Sequence, residues 1–230
     1  MEVERIVSSS FPDYKENTVQ EIFNHSLHNE FHESAKALLA RLQPSATTGN
    51  ISPLTESLVL TSASNVIPHI LKSLNITCLI TVAPELPDTP YSDEVLYHKI
   101  DVVDLPSSNI LPHLDEAADL VHQVAISGGR TLVYCVAGVS RSASVCIAYM
   151  MKYHRMSLLE AYTYVKRVRP RIRPNCGFFK QLIEYERRLY EVSTVKMVFN
   201  EFVRMEIPDV YDSQYPYVRK YDKNKNKDRH

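Results

Sequence analysis

The stretch that most constrains this chain is residues 131–144, T-L-V-Y-C-V-A-G-V-S-R-S-A-S. Residues 131–134 have the length and residue types of a buried strand. The run stops at Cys135. Gly138 allows a tight backbone path, and from Arg141 the residues suit a helix, with Ala143, Val145, Ile147 and Ala148. A cysteine therefore sits at a strand tip, with a loop and a helix start just beyond it. Loop N–H groups and the positive end of a helix dipole then converge above the sulfur. Such a concavity suits a tetrahedral dianion, and a cysteine beside an arginine at a helix N-terminus has a lowered thiol pKa. Arg141, six residues after Cys135, can grip two oxygens of one phosphate with its planar fork. Ser142 offers a hydroxyl to a departing thiolate. Nucleophile, clamp and cradle (the backbone of Val136, Ala137, Gly138, Val139 and Ser140) together read as phosphoryl transfer through a cysteinyl-phosphate. The plain structural reading, a buried free cysteine and a surface arginine, fits a bare C-x-x-G-x-x-R but not the whole strand–loop–helix context.

Cys135-x-x-Gly138-x-x-Arg141-Ser142 resembles the phosphate-binding signature of the cysteine-dependent protein tyrosine phosphatase superfamily. The longer Cys135-Val-Ala-Gly-Val-Ser-Arg-Ser-Ala run, with Ala148-Tyr-Met-Met-Lys152 after it, is similar to the dual-specificity branch. Residues 193–198 and 207–211 also resemble the tail of a subgroup of small atypical dual-specificity phosphatases. The resemblance runs from about residue 51 to residue 190. It implies an α/β fold, a central mostly parallel sheet flanked by helices, with the phosphate-binding loop between a strand and a helix. It also implies a protein phosphatase with a shallow pocket, acting on phosphotyrosine and phosphoserine/threonine without a metal or other cofactor.

One position departs from the family pattern, which has histidine before the cysteine where this chain has Tyr134. Tyrosine is larger and neutral, so it is expected to raise the Cys135 pKa or loosen the loop. That favours an active but slower enzyme. The alternative is a phosphoprotein-binding module whose turnover Tyr134 cripples. A rhodanese-like sulfur-transfer loop is a third reading, opposed by Arg141-Ser142 and by an acid upstream.

That acid is Asp104. Phosphoryl transfer needs a proton for the leaving oxygen and then a base for water. Asp104 follows a predicted strand over residues 97–102 and opens the loop Asp104-Leu-Pro-Ser-Ser-Asn-Ile. The family places its general acid in the same context, and Asp101 is the competitor. Downstream, Arg169-Pro-Arg171-Ile-Arg173-Pro-Asn175 resembles the family segment before the last core helix. Its arginines, with Arg167, read either as a positive rim that steers phosphorylated substrates or as a plain solvated charge run. Pro174 and Asn175 are expected to set a turn that buttresses the active loop. The residues between Cys135 and Arg141 are uncharged, which suits a single phosphate better than a polyphosphorylated inositol ring.

Residues alternate between strand and helix patterns across the central region. Strands are expected at 57–60, 77–82, 97–102 and 131–134, and helices at 65–74, 115–127, 141–153 and 175–190. Ser157 and Glu160 form a capping box for another helix that stops before Pro170. Such alternation implies a mostly parallel sheet, with ligands bound at its C-terminal edge. Four divisions follow: an N-terminal extension over 1–50 with an amphipathic helix from Thr18, a catalytic domain over 51–192, a packed extension over 193–214, and a disordered tail over 215–230.

Composition narrows the partners. A formal net charge of −1 gives no global attraction to nucleic acid, and no run approaches the ~20 apolar residues of a membrane span. Four cysteines at irregular spacing point to a reducing compartment, cytoplasmic with nuclear access, and to no structural metal. The expected partners are phosphorylated proteins. MAP kinases lie within that class, but nothing in the sequence selects them, and it leaves the oligomeric state open.

Overall fold

The computed structural model describes residues 51–88 and 95–214. The helix expected from Thr18 and the tail over 215–230 lie outside the described residues. Five strands form the main sheet: β1 (Ser52–Pro53), β2 (Leu58–Ser62), β3 (Cys78–Thr81), β4 (Leu96–Lys99) and β5 (Thr131–Cys135). Their spatial order is β1-β2-β5-β3-β4. Only the β1–β2 pairing is antiparallel; β5 lies parallel between β2 and β3, in register Leu58↔Thr131 and Cys78↔Thr131. All residues of β2, β3 and β5 are buried, which their apolar and β-branched content allows, because helices cover both faces. Strand alternation divides β5 between two cores. Val133 and Cys135 face the larger cluster, and Leu132 and Tyr134 face a smaller one with Val59, Leu71 and Leu79.

The helices are α1 (Pro68–Ser73), α2 (Leu111–Ile126), α3 (Arg141–His154), α4 (Leu158–Val168) and α5 (Cys176–Tyr190). The single helix expected at 65–74 is instead a 3₁₀ turn, Ala63–Asn65, followed by α1. Pro68 enforces the break, since the residue before a proline is driven out of the helical region, and Ile67 has φ −130° and ψ 147°. Helix α2 begins four residues earlier than expected, with Pro112 in its first turn where a missing N–H costs nothing. Strand β4 ends at Lys99 rather than Val102: the last pairing N–H, from Ile100 to the Thr81 carbonyl, is at 2.8 Å, and Val102 then turns back to the Ile100 carbonyl.

Helix α3 carries the phosphate-loop end of the chain through the middle of the molecule, with residues 141–151 all buried. The capping box of α4 is present in both arms: Ser157 Oγ accepts from Glu160 N–H at 3.3 Å, and Ser157 N–H donates to Glu160 Oε2 at 3.0 Å. Fully buried Glu186 on α5 adds a clasp that the sequence did not signal. It accepts from Leu158 N–H at 2.6 Å, Thr194 N–H at 2.8 Å and Thr194 Oγ1 at 2.6 Å, tying the start of α4 to the chain after α5. Within the extension over 193–214, β6 (Met197–Asn200) and β7 (Met205–Pro208) pair as an antiparallel hairpin. A 3₁₀ segment, Asp209–Gln214, follows and buries Tyr211 edge-on against Tyr162 and Phe179. Tyr211 donates its hydroxyl to the Pro174 carbonyl at 2.8 Å, so this 3₁₀ segment braces the stretch whose Arg173 N–H holds the phosphate loop.

Candidate active site

Cys135 closes β5 and is only 2% exposed. Among the described residues, Gly138 N–H donates to its sulfur at 3.3 Å, and Ser142 Oγ lies 3.1 Å from Sγ in a hydrogen bond that either group can donate. Gly138 has φ +64°, and a Cβ there would lie 2.3 Å from the Thr61 carbonyl and 2.7 Å from Arg169 Nη2. Only glycine fits both the torsion and the space.

The loop is shaped from outside. Val136 O accepts from Ala63 N–H at 3.2 Å, and Val139 O accepts from Arg173 N–H at 2.8 Å. Between them, Gly138 O accepts from Arg169 Nε at 2.7 Å, and Ala137 O accepts from Arg169 Nη2 at 3.3 Å and from Arg171 Nη2. In a trans peptide the carbonyl and the following N–H point opposite ways. Four carbonyls held on the outside therefore turn the N–H groups of residues 137–140 inward, toward the sulfur that Gly138 N–H already meets. Arg169 is thus neither rim nor solvated charge. It is 2% exposed and donates to the loop, and burial, with Arg171 nearby, pushes its pKa down to about 10, still cationic at neutral pH. Arg167 and Arg171 remain exposed, and Arg173 lies over the Tyr211 ring at 4.5 Å.

Arg141 is the first residue of α3 and is 4% exposed. Its Nη1 and Nη2 donate to Glu85 Oε2 and Oε1 at 2.9 and 2.6 Å, and Nη1 also reaches the Val102 carbonyl at 3.3 Å. The hydrogen bonds from Arg141 hold the Glu85 carboxyl below its usual range. Glu85 was missed in the sequence, although a signal exists: it lies in the loop after buried β3, and the loops after parallel strands converge on such sites.

Asp104 lies across the opening, 3.8 Å from Arg141 Nε, and its Oδ1 accepts from Ser140 Oγ at 2.7 Å and Asn175 Nδ2 at 2.8 Å. Asp101, the competitor, is 70% exposed and faces Lys99 at 4.0 Å instead. Ser140 is committed to Asp104 and to Asn175 N–H at 3.1 Å, so only its backbone is available to the cradle. Asn175 also caps α5 through Phe178 N–H at 2.9 Å, and so joins helix, loop and acid. The acid-bearing loop is stapled to α5 by Gln181, which accepts from Ile110 and Leu111 N–H at 2.7 and 2.9 Å and donates to Ser108 O at 2.8 Å. Tyr134 is buried on the opposite face of the sheet from Cys135, among the smaller core cluster. Its ring therefore does not line the sulfur pocket, and the route by which it was expected to disturb Cys135 is not a direct contact.

A family model for the dual specificity phosphatase catalytic domain matches residues 58–188. The chain belongs to the dual specificity phosphatase family. It is 44% identical to human dual specificity protein phosphatase 14 over 176 residues, which cover 75% of this chain and 86% of that protein. It is 45% identical to human dual specificity protein phosphatase 18 over 175 residues, 75% of this chain and 89% of that one. Among solved structures, human DUSP28 in a tyrosine-to-histidine form superimposes with a TM-score of 0.59 at 32% identity, covering 62% of this chain and 97% of that one. This dual specificity phosphatase is accordingly a protein-tyrosine/serine/threonine phosphatase, and the silent binding module is not favoured.

Proposed function

We propose that Cys135 is the nucleophile of this phosphatase and that Asp104, Arg141 and Ser142 complete its chemistry. The observation that carries the reading is the convergence on one sulfur of Gly138 N–H, Ser142 Oγ and the buried start of α3, with Asp104 facing Arg141. The Cys135 thiolate attacks phosphorus as the bond to the substrate oxygen breaks, and Asp104 gives that oxygen its proton. Arg141 and the N–H groups of residues 137–140 hold the non-bridging oxygens as charge spreads over them. Water then attacks the cysteinyl-phosphate and passes a proton to Asp104. The S–P bond breaks, its electron pair returns to sulfur, and the Ser142 hydroxyl stabilises the thiolate that leaves.

The substrates are phosphoproteins that offer one phosphorylated side chain at a time. Val103, Leu105 and Val136 flank the acid and the nucleophile with exposed apolar surface, which suits the hydrocarbon part of a phosphorylated residue better than a polyanionic ring. MAP kinases fit this class as candidate substrates, and a reducing cytoplasmic or nuclear compartment fits four free cysteines. Acid quenching during turnover of a ³²P-labelled phosphopeptide tests the intermediate. Label on Cys135, accumulating further in Ser142→Ala, is expected; label on another residue, or none during active turnover, contradicts the mechanism.

A further inference from the structure

Arg141 is gripped from behind, and the count of its donors shows which edge is left. A guanidinium has five N–H groups, one on Nε and two on each Nη. Glu85 takes one from Nη1 and one from Nη2, at 2.9 and 2.6 Å, and the Val102 carbonyl takes the second on Nη1 at 3.3 Å. Nε–H and the second Nη2–H remain, side by side on the edge toward Asp104. Nε is buried and has no hydrogen-bond partner among the described residues. A buried donor left unpaired is costly, so this edge is built to receive an acceptor that comes and goes.

We propose that Glu85 is a positioning residue: it fixes Arg141 by the Nη1–Nη2 edge so that the Nε–Nη2 edge stays presented to the phosphoryl group. The proposal rests on the reading of Arg141 as the phosphate clamp. Glu85 can do this because its own loop is anchored. Lys99 on β4 donates to the Leu86 carbonyl at 3.1 Å and to Asp88 Oδ1 at 2.7 Å, one and three residues beyond Glu85. The chain therefore runs β4, Lys99, the 85–88 loop, Glu85, Arg141. A long arginine side chain without this support has several rotamers to choose from, and the bidentate contact removes that freedom before substrate arrives. The same contact keeps the buried guanidinium neutralised between turnovers. The opposite role, a carboxylate that occupies the phosphate position, requires Glu85 on the Nε–Nη2 edge, where it is not.

Orthovanadate and inorganic phosphate are the probes, with wild type, Glu85→Gln, Glu85→Ala and Lys99→Met compared. Inhibition of aryl phosphate hydrolysis gives affinity, and the vanadate-induced rise in melting temperature reads binding by the folded protein in the same samples. Glu85→Ala is expected to weaken vanadate binding and lower kcat/KM by roughly 10- to 100-fold, the range for losing a charge-assisted contact. Glu85→Gln retains one acceptor and should fall between Ala and wild type; Lys99→Met should shift both quantities the same way by a smaller factor. Equal or tighter vanadate binding by folded Glu85→Ala overturns the proposal. Failure of the wild type itself to bind vanadate would instead sink the clamp role of Arg141.

Discussion

Arg169 donates its Nε–H to the carbonyl of Gly138 at 2.7 Å, across 31 residues of sequence. The contact puts a buried cation behind the phosphate loop, with further bonds to the Ala137 carbonyl and to Ser52 Oγ at 3.2 Å. Its function is to order a loop whose own residues are small and uncharged. Arg169→Ala leaves the Gly138 carbonyl without its donor and the Ala137 carbonyl with Arg171 alone, at about 1–3 kcal/mol for a buried group that water does not reach. Chemical denaturation is expected to show that loss, and kcat/KM for an aryl phosphate should fall at least about tenfold because the N–H groups lose their aim. Arg169→Lys should recover little of it, since one ammonium cannot span three acceptors. A fully active Arg169→Ala enzyme would contradict this role.

The acid loop has a comparably narrow tolerance. A Cβ on Gly177 would lie 1.9 Å from the Pro106 carbonyl, and neither backbone can yield alone. Gly177→Ala is therefore expected to push residues 104–108 off α5 and to misplace Asp104. Misplacement by about 1 Å can cost on the order of 100-fold in rate. Leaving-group dependence separates this from general damage: the loss should be larger for a phosphothreonine peptide, whose alkoxide needs a proton, than for a nitrophenyl ester. Equal losses on both substrates would argue against displacement of the acid.

Stability should vary with pH through His154, at the end of α3, whose ring lies edge-on to Tyr149 at 5.3 Å. Burial, with His122 as a second cause, holds its pKa below the ordinary imidazole value. An imidazole with a lower pKa folded than unfolded binds more protons when unfolded, so stability rises with pH between the two values. The stability is fully present above the unfolded value of about 6.5 and is lost as pH falls through the folded one. Urea unfolding between about pH 7.5 and 5 should show this slope, and His154→Gln should flatten it. An unchanged slope would assign it to other groups.

The parts of the site that were legible in the sequence are those close together along the chain. Cys135, Gly138, Arg141 and Ser142 are fixed by one strand–loop–helix unit, and Ser157 with Glu160 needs only one helical turn. Asn175 was readable as a support because it precedes a helix directly. The orientation of Tyr134 was missed although strand alternation, which places it opposite Cys135, was a signal for it. The remaining determinants are joined only by the fold: Glu85 meets Arg141 across 56 residues, Gln181 meets Ile110 across 71, and Glu186 meets Leu158 across 28. No periodicity links such pairs. Arg169 failed for another reason, because a run of arginines looks solvated unless the carbonyls that bury one of them are known.

The most direct measurement is the pH dependence of aryl phosphate hydrolysis by wild type, Cys135→Ser and Asp104→Asn, without added metal. Vanadate-sensitive turnover is expected in the wild type and none above background in Cys135→Ser. The Asp104→Asn rate should fall by roughly 10²- to 10⁴-fold with its basic limb lost, the contribution of a positioned general acid. Vanadate-sensitive turnover persisting in Cys135→Ser, or an unchanged basic limb in Asp104→Asn, would contradict Cys135 as nucleophile or Asp104 as acid.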